Sequence, residues 1–464
     1  MKKIQSIYWV LFLYSLSLIL GLVYCDGTGD MGDSIAHFIF AQSAPQHPEF
    51  YFHHWAKPVF VLLASPFAQF GFSGVKFFNI ILSLLSTYFT YRVAEKLKLK
   101  TPWLAALLLA CMPLNYILTL SSLTEPLFAF FVIVSIYLCC QEKYSASFTL
   151  ISFLPYVRSE GLIILSVFLL FAISKNKWKA LPYFLVGSVI YGIAGYAVHH
   201  NLFWVITDIP YAHLSSVYGS GSLFHFVVQL TNVVGVPIYI LISTGILVGL
   251  SSLLRKHFSA ELHILIFGGF LSFFVAHSLF WYLGIFNSMG LIRVFLGVAP
   301  MMAVIALCGY NFIVERFNKH LQLKYAISKV LVLYVVLFPI TPNPSAIQFK
   351  KDLMAREEKT LSNHVAEKVK SLNKADGPIM YNHYYLGIAL INDRFDPSKR
   401  IPLLKSELKN LKSGYIVVWD NKLVGSETDI LKIDLDALDY LKPIASYSSE
   451  DYGQEIIYAI YQKK

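Results

Sequence analysis

The sequence predicts a polytopic α-helical membrane protein of about 11 transmembrane helices, followed by a small C-terminal soluble α/β domain. Three observations predict it. Charged residues are only 14% of 464, where soluble domains carry about a quarter. Apolar residues recur in blocks of roughly 17 to 25, the length that crosses a hydrocarbon core. The charge is also unevenly placed: up to residue 341 there are 20 Lys+Arg against 11 Asp+Glu, and from residue 342 onward 18 against 17. The basic excess sits in the short loops of the apolar part, as the positive-inside rule places it, so the net charge of +10 is no signal for nucleic acid.

Taken in order, the first helix covers about 7–25 and is retained, since its apolar run is long and lacks a small-residue cleavage site. A polar loop follows. Residues 54–74, punctuated by Pro58, Pro66 and Gly71, read as an interfacial helix belonging to that loop. Further spans are expected at about 75–92, 103–119 and 124–141. A short pair at 147–157 and 161–173 is split by Arg158-Ser159-Glu160-Gly161 and is either two spans or a re-entrant hairpin. Spans at 181–198, 232–253, 262–284, 290–312 and 325–341 complete the set, with a polar, aromatic loop at 199–231. With the N-terminus in the cytoplasm, cytoplasmic ends hold 16 of the 20 basic residues, including Lys2, Lys3 and Lys256. The exceptions are Lys57, Lys76, Arg158 and Arg293. The tail, 342–464, reads as a soluble extracytoplasmic domain with an amphipathic helix in DLMAREEKTLSNHVAEKVKSL and strands in GPIMYNH, GYIVVWD and EIIYAIYQK.

The candidate chemistry centres on residues 26–57, with Asp26, Asp30 and Asp33, four histidines (His37, His47, His53, His54), Glu49 and Lys57. Charge at a membrane boundary is costly and marks function by default. Asp33 and His37 are four apart and share a face if the stretch is helical. Asp33 could take a proton from an incoming hydroxyl, or it could simply start a helix. Lys57 reads as a phosphate ligand or a snorkelling lysine, and the pair His53-His54 as a weak metal signal. Glu125 opens a helix in SSLTEPLF and is structural or functional alike. Arg158 and Glu160 pair with each other or face an anion. Arg293, with no neighbouring acid in sequence, suits a phosphate or a lipid headgroup. His213, Tyr218 and His225 in the 199–231 loop are weaker candidates. The five cysteines (Cys25, Cys111, Cys139, Cys140, Cys308) lie in or at the ends of apolar segments without metal-ligand spacing. There is no Walker motif, Rossmann fingerprint, HExxH or GxSxG pattern, which argues against nucleotide hydrolysis as a driving force.

The order of these features resembles the GT-C superfamily of integral-membrane glycosyltransferases. The shared features are the acidic first outer loop, KP before an amphipathic segment, TEPLF, RSEGL, YGSGSL and GLIRVFLGVAP. The likeness is strongest to bacterial relatives of the protein O-mannosyltransferases and of the lipid A aminoarabinose transferase, and it covers roughly residues 1–341. It implies a GT-C transmembrane domain over 1–341, with its catalytic first outer loop at 26–74. It also implies transfer of a hexose or pentose from a polyprenyl-phosphate sugar donor to a lipid, glycan or protein acceptor on the outer face of the inner membrane. By the same resemblance Asp33 is the catalytic base, and Lys57, Glu125, Arg158 and Arg293 bind substrate; the reading of the residues themselves adds His37, His54 and Glu160 to the substrate-binding set. Lys57 and Arg293 would hold the donor phosphate. No cofactor is expected, with a divalent cation left open, and beyond membrane lipids no nucleic-acid partner. Two departures stand out: Ser34 follows Asp33 where the family often has Asp-Glu, and Val294 follows Arg293 where it often has Arg-Tyr. The rival readings are a transporter or flippase of lipid-linked saccharides, which calls for charge along the middle of several helices, and a non-catalytic membrane scaffold.

Overall fold

The computed structural model describes the chain apart from residues 1–5, 31, 211–214, 217, 256, 374–376, 391–392 and 452, and the side chains of 426 and 427. Lys2, Lys3, His213 and Lys256 therefore lie outside the described residues. The chain forms two compact units. One holds Met1–Gly29 and His37–Leu353; the other holds Asp30–Ala36 and Met354–Lys464.

The first unit is helical. Among the described residues, seven helices are long and apolar enough to cross a membrane: Ser6–Tyr24, Phe72–Lys96, Trp178–His199, Val236–Leu254, Glu261–Leu283, Ile292–Glu315 and Leu321–Ile340. Each falls on an expected span. The other four expected spans are shorter or broken. Pro113 lacks an amide hydrogen and disfavours helical geometry at the residue before it. Met112 is accordingly extended (ψ 120°), and the 103–119 stretch divides into Trp103–Ala110 and Pro113–Thr119. Glu125–Cys140 and Gly161–Ser174 are continuous helices of 16 and 14 residues. The stretch 147–157 becomes Tyr144–Ile151 and Leu154–Val157. The interfacial segment forms a helix over Pro58–Ala68. The 199–231 stretch, expected as loop, contains the helices Trp204–Thr207 and His225–Val234.

Ile292–Glu315 is the central helix, apolar all round and buried from Val294 to Leu307, as a core helix must be. It meets Val236–Leu254 through two glycines. A Cβ on Gly309 would lie 2.0 Å from the Leu241 carbonyl oxygen, and one on Gly245 2.1 Å from that of Ile305. Lipid tails offer no hydrophobic drive between helices, so such backbone contact carries the packing. Polar side chains add to it: Asn115 donates to the Tyr14 hydroxyl (2.9 Å), which also bonds Ser83 Oγ (2.9 Å).

The basic loops gather at one end of this unit. Lys100 pairs with Glu315, Asn311 donates to the Lys100 carbonyl (3.0 Å), and Lys175 pairs with Glu261 at 2.6 Å. Lys76, one of the four displaced basic residues, is buried and donates to the Cys25 carbonyl (2.8 Å) at the end of the first helix, satisfying an orphan carbonyl there.

In the second unit a five-stranded sheet has the order β2-β1-β3-β5-β4, where β1 is Ile379–Met380, β2 Arg400–Ile401, β3 Ile416–Asp420, β4 Leu441–Asp451 and β5 Gln454–Lys463. β1 runs parallel to β2 and β3; β5 is antiparallel to β3 and β4. Side chains alternate between faces. Ile416 and Val418 pack with Val365 and Val369 of the helix Glu357–Leu372, while Val417 and Trp419 face Leu403, Leu408 and Leu435. The amphipathic helix and three of the strands were legible in the sequence; β2, of two residues, and β4, largely polar, were not.

Replacing Gly309 with Leu should destabilise the protein by about 3 kcal/mol, read as a lower thermal unfolding midpoint in detergent. An unchanged midpoint would disprove the close crossing.

Candidate functional site

The first unit buries a cluster of charge. Glu125 begins the helix Glu125–Cys140 and is fully buried. A carboxylate suits a helix N-terminus, but burial at this depth requires partners. It has two: Arg158 Nη1 lies 2.8 Å and Arg293 Nε 3.5 Å from its Oε1. Arg158 also donates to Thr124 Oγ1 (3.1 Å) and, through Nη2, to Glu160 Oε1 (2.9 Å).

Local sequence explains each placement. Pro155 sits in the first turn of Leu154–Val157, where it breaks continuity with Tyr144–Ile151; the chain is then extended at Arg158 and turns into Gly161–Ser174. Arg293 enters on the 3₁₀ turn Ile292–Val298, which packs on Glu125–Cys140 where Gly297 leaves room for the Phe128 ring. Three separate stretches of sequence thus form one chain of charges, Glu160–Arg158–Glu125–Arg293.

Lys57 belongs to the same neighbourhood. Burial alone would raise the Glu160 carboxyl. Arg158, then His277 and Lys57, outweigh it and hold that carboxyl down at about 2. Lys57 is buried, and its backbone is left-handed (φ 68°) immediately before Pro58, which begins the helix Pro58–Ala68. Left-handed geometry costs a side-chain-bearing residue about 1–2 kcal/mol, and strain of this kind concentrates at functional sites. Arg158, Arg293 and Lys57 thus bring three cationic side chains to the neighbourhood of Glu125 and Glu160, and guanidinium groups suit phosphate oxygens.

His37 and His54 sit differently. His37 stacks on Trp55 with ring centres 5.2 Å apart. His54 donates from Nε2 to the Val205 carbonyl (3.3 Å), and His199, stacked on Trp204 at 4.2 Å, bonds the Phe52 carbonyl through Nε2 (3.0 Å). These two histidines pin the opening loop to the Trp204–Thr207 helix. Of the weaker candidates, Tyr218 is exposed and His225 bonds the Gly290 carbonyl at 3.0 Å.

The aspartates divide by role. Asp30 Oδ1 accepts from the backbone N–H of Gly32 (3.1 Å) and Ser34 (2.8 Å), the contacts of a capping residue. Asp33 opens the helix Asp33–Ser43 and is partly exposed. The helix start read in the sequence is therefore capped by Asp30. Asp26 is exposed. Among the described residues no three His, Cys, Asp or Glu side chains are grouped to hold a metal ion.

Sequence reasoning missed His277. It is buried on the helix Gly269–Leu283, close enough to Glu160 to act on its charge, and its Nε2 has no hydrogen-bond partner among the described residues. A lone histidine in an apolar span carries no pattern to mark it.

With the fold and this cluster in view, the chain can be compared with solved structures. It matches the crystal structure of ArnT from Cupriavidus metallidurans bound to undecaprenyl phosphate over 98% of both chains, with a TM-score of 0.63 at 11% identity. The fold is GT-C. The apo state of the same ArnT matches over 97% of both chains, with a TM-score of 0.65 at 11% identity. No protein-family model and no curated protein matches the sequence. The GT-C likeness spans both the helical unit and the sheet-containing unit, beyond the residue 341 limit of the motif resemblance.

Two outcomes test this geometry. Glu125→Ala should cost about 3–5 kcal/mol of stability, because it leaves two arginines without their shared carboxylate; an unchanged unfolding midpoint would remove Glu125 from the cluster. Burial and then the Lys57 charge lower the His54 pKa from 6.5 to about 4. The unfolded chain takes up that proton first, so stability is full above pH 6.5 and declines as pH falls towards 4. His54→Gln should flatten that part of the stability–pH curve, and an identical curve would contradict the assignment.

Proposed function

We propose that this chain is an inner-membrane glycosyltransferase, moving a sugar from a polyprenyl-phosphate donor to a lipid, glycan or protein acceptor on the outer face. The observation that carries the reading is a buried carboxylate, Glu125, met by two arginines, with Lys57 acting on the neighbouring Glu160, in a GT-C fold shared with an ArnT whose crystal structure holds undecaprenyl phosphate.

The chemistry needs two things: cations to accept the charge of a departing lipid phosphate, and a base for the acceptor hydroxyl. Arg293 and Lys57 hold the phosphate. Glu125 positions both arginines, and Arg158, which it shares with Glu160, keeps the set in register. Asp33 is the base. The acceptor oxygen attacks the anomeric carbon, and its proton goes to the Asp33 carboxylate. The bond from that carbon to the phosphate oxygen breaks, and the electron pair leaves with the phosphate, inverting the anomeric centre. Asp33 opens the helix Asp33–Ser43 and is partly exposed, which leaves its carboxylate within reach of an acceptor. The reading needs no cofactor. It places the N-terminus in the cytoplasm and the sheet-containing unit outside, following the basic loops.

The test is sugar transfer in membranes from radiolabelled polyprenyl-phosphate sugars. Asp33→Asn should lower turnover by about 10²- to 10⁴-fold with donor binding retained. Asp30→Asn should keep turnover and lose about 1 kcal/mol of stability. Full turnover in Asp33→Asn would move the base elsewhere. No transfer by the wild type from any such donor would favour a transporter or scaffold.

A further inference from the structure

A cleft of about 830 Å³ opens between two turns at the basic end of the helical unit. One turn follows the helix Glu125–Cys140 and the other follows Gly161–Ser174. Each helix stops on a left-handed residue, Glu142 (φ 59°) and Asn176 (φ 54°). The cleft is lined by Lys143, Lys177, Lys179, Tyr144 and Trp178, with Glu142 as its single acid. Lys177 Nζ sits 4.5 Å from the centre of the Tyr144 ring. Among the described residues no ion pair reaches any of the three lysines. The neighbouring Lys175 is already taken by Glu261, outside the cleft.

A helix C-terminus attracts cations, and that alone accounts for Lys143 and Lys177. It does not account for Lys179. Lys179 lies in the first turn of Trp178–Leu185, the start of a long apolar helix, where the dipole opposes a cation. Trp178 is 57% exposed at the same place, and an exposed tryptophan at the end of a span is an interfacial anchor. Three lysines converging on a cleft at headgroup level, beside such an anchor, match an anionic phospholipid in charge and in depth.

We propose that this cleft binds the headgroup of an anionic phospholipid, held by Lys143, Lys177 and Lys179 with Trp178 against its glycerol region. The site is separate from the Arg158–Glu125–Arg293 cluster, and it stands whether or not the chain transfers a sugar.

The test uses the full-length protein, purified in detergent, stripped of lipid, and titrated with phosphatidylglycerol or phosphatidylcholine. Retained lipid is counted by native mass spectrometry. The wild type should hold phosphatidylglycerol over phosphatidylcholine by about tenfold or more. Lys143→Gln/Lys177→Gln/Lys179→Gln should lose that preference. Lys319→Gln/Lys324→Gln/Lys329→Gln, which removes equal charge elsewhere, should keep it. Lys179→Glu provides a single-site check with little risk to folding. Equal retention by the cleft variant and the wild type, or equal loss in the two triple variants, would overturn the proposal. Displacement of the lipid by free glycerol phosphate would also overturn it, showing a soluble phosphate site instead.

Discussion

One buried carboxylate holds the candidate site together. Glu125 has no access to water, and Arg158 and Arg293 are the partners that reach its carboxylate. The dependence is mutual: each arginine comes from a different element, one from a turn between short helices and the other from a 3₁₀ entry to the central helix. A charge in an apolar bundle calls for a counter-charge, and Glu125 serves both arginines. The helix Glu125–Cys140 therefore aligns two others through its first residue, and the glycine contacts of the central helix with its neighbour hold that frame rigid. Charge and backbone packing specify the same arrangement from opposite ends of the bundle.

The bundle was largely legible in the sequence because hydropathy reports a single physical requirement, satisfied backbone polar groups in lipid. The seven long helices lie where the apolar blocks lie. Break points were harder to read. Pro113 ends one span where the hydropathy runs on, and the helix His225–Val234 lies in a stretch polar enough to pass for loop. In the cluster, Glu125, Arg158, Glu160 and Arg293 stood out as charges in apolar surroundings. Their mutual contacts, up to 168 positions apart (293 − 125), left no trace in any local pattern. His277 shows the limit from the other side: its significance lies in what faces it across the bundle.

The sheet-containing unit carries its own buried polar centre. Glu358, at the start of the helix Glu357–Leu372, meets His383 at 3.0 Å and also pairs with Lys422, while Ser362 bonds the Tyr458 hydroxyl at 2.6 Å. His383 and Lys422 follow the carboxyl ends of the parallel strands β1 and β3. These partners hold the Glu358 carboxyl down against the pull of its burial. These cross-links serve the side of the sheet where β1 and β2 have only two residues each and strand pairing is short.

The backbone at Lys57 has a consequence for how this protein tolerates change. A left-handed residue directly before a proline is disfavoured twice over, by its own side chain and by the proline ring. Glycine would relax that conformation and discard the ammonium group with it. Lys57→Gly would therefore ease the backbone and at the same time strip a buried charge that Glu160 feels, so position 57 trades conformational ease for electrostatics.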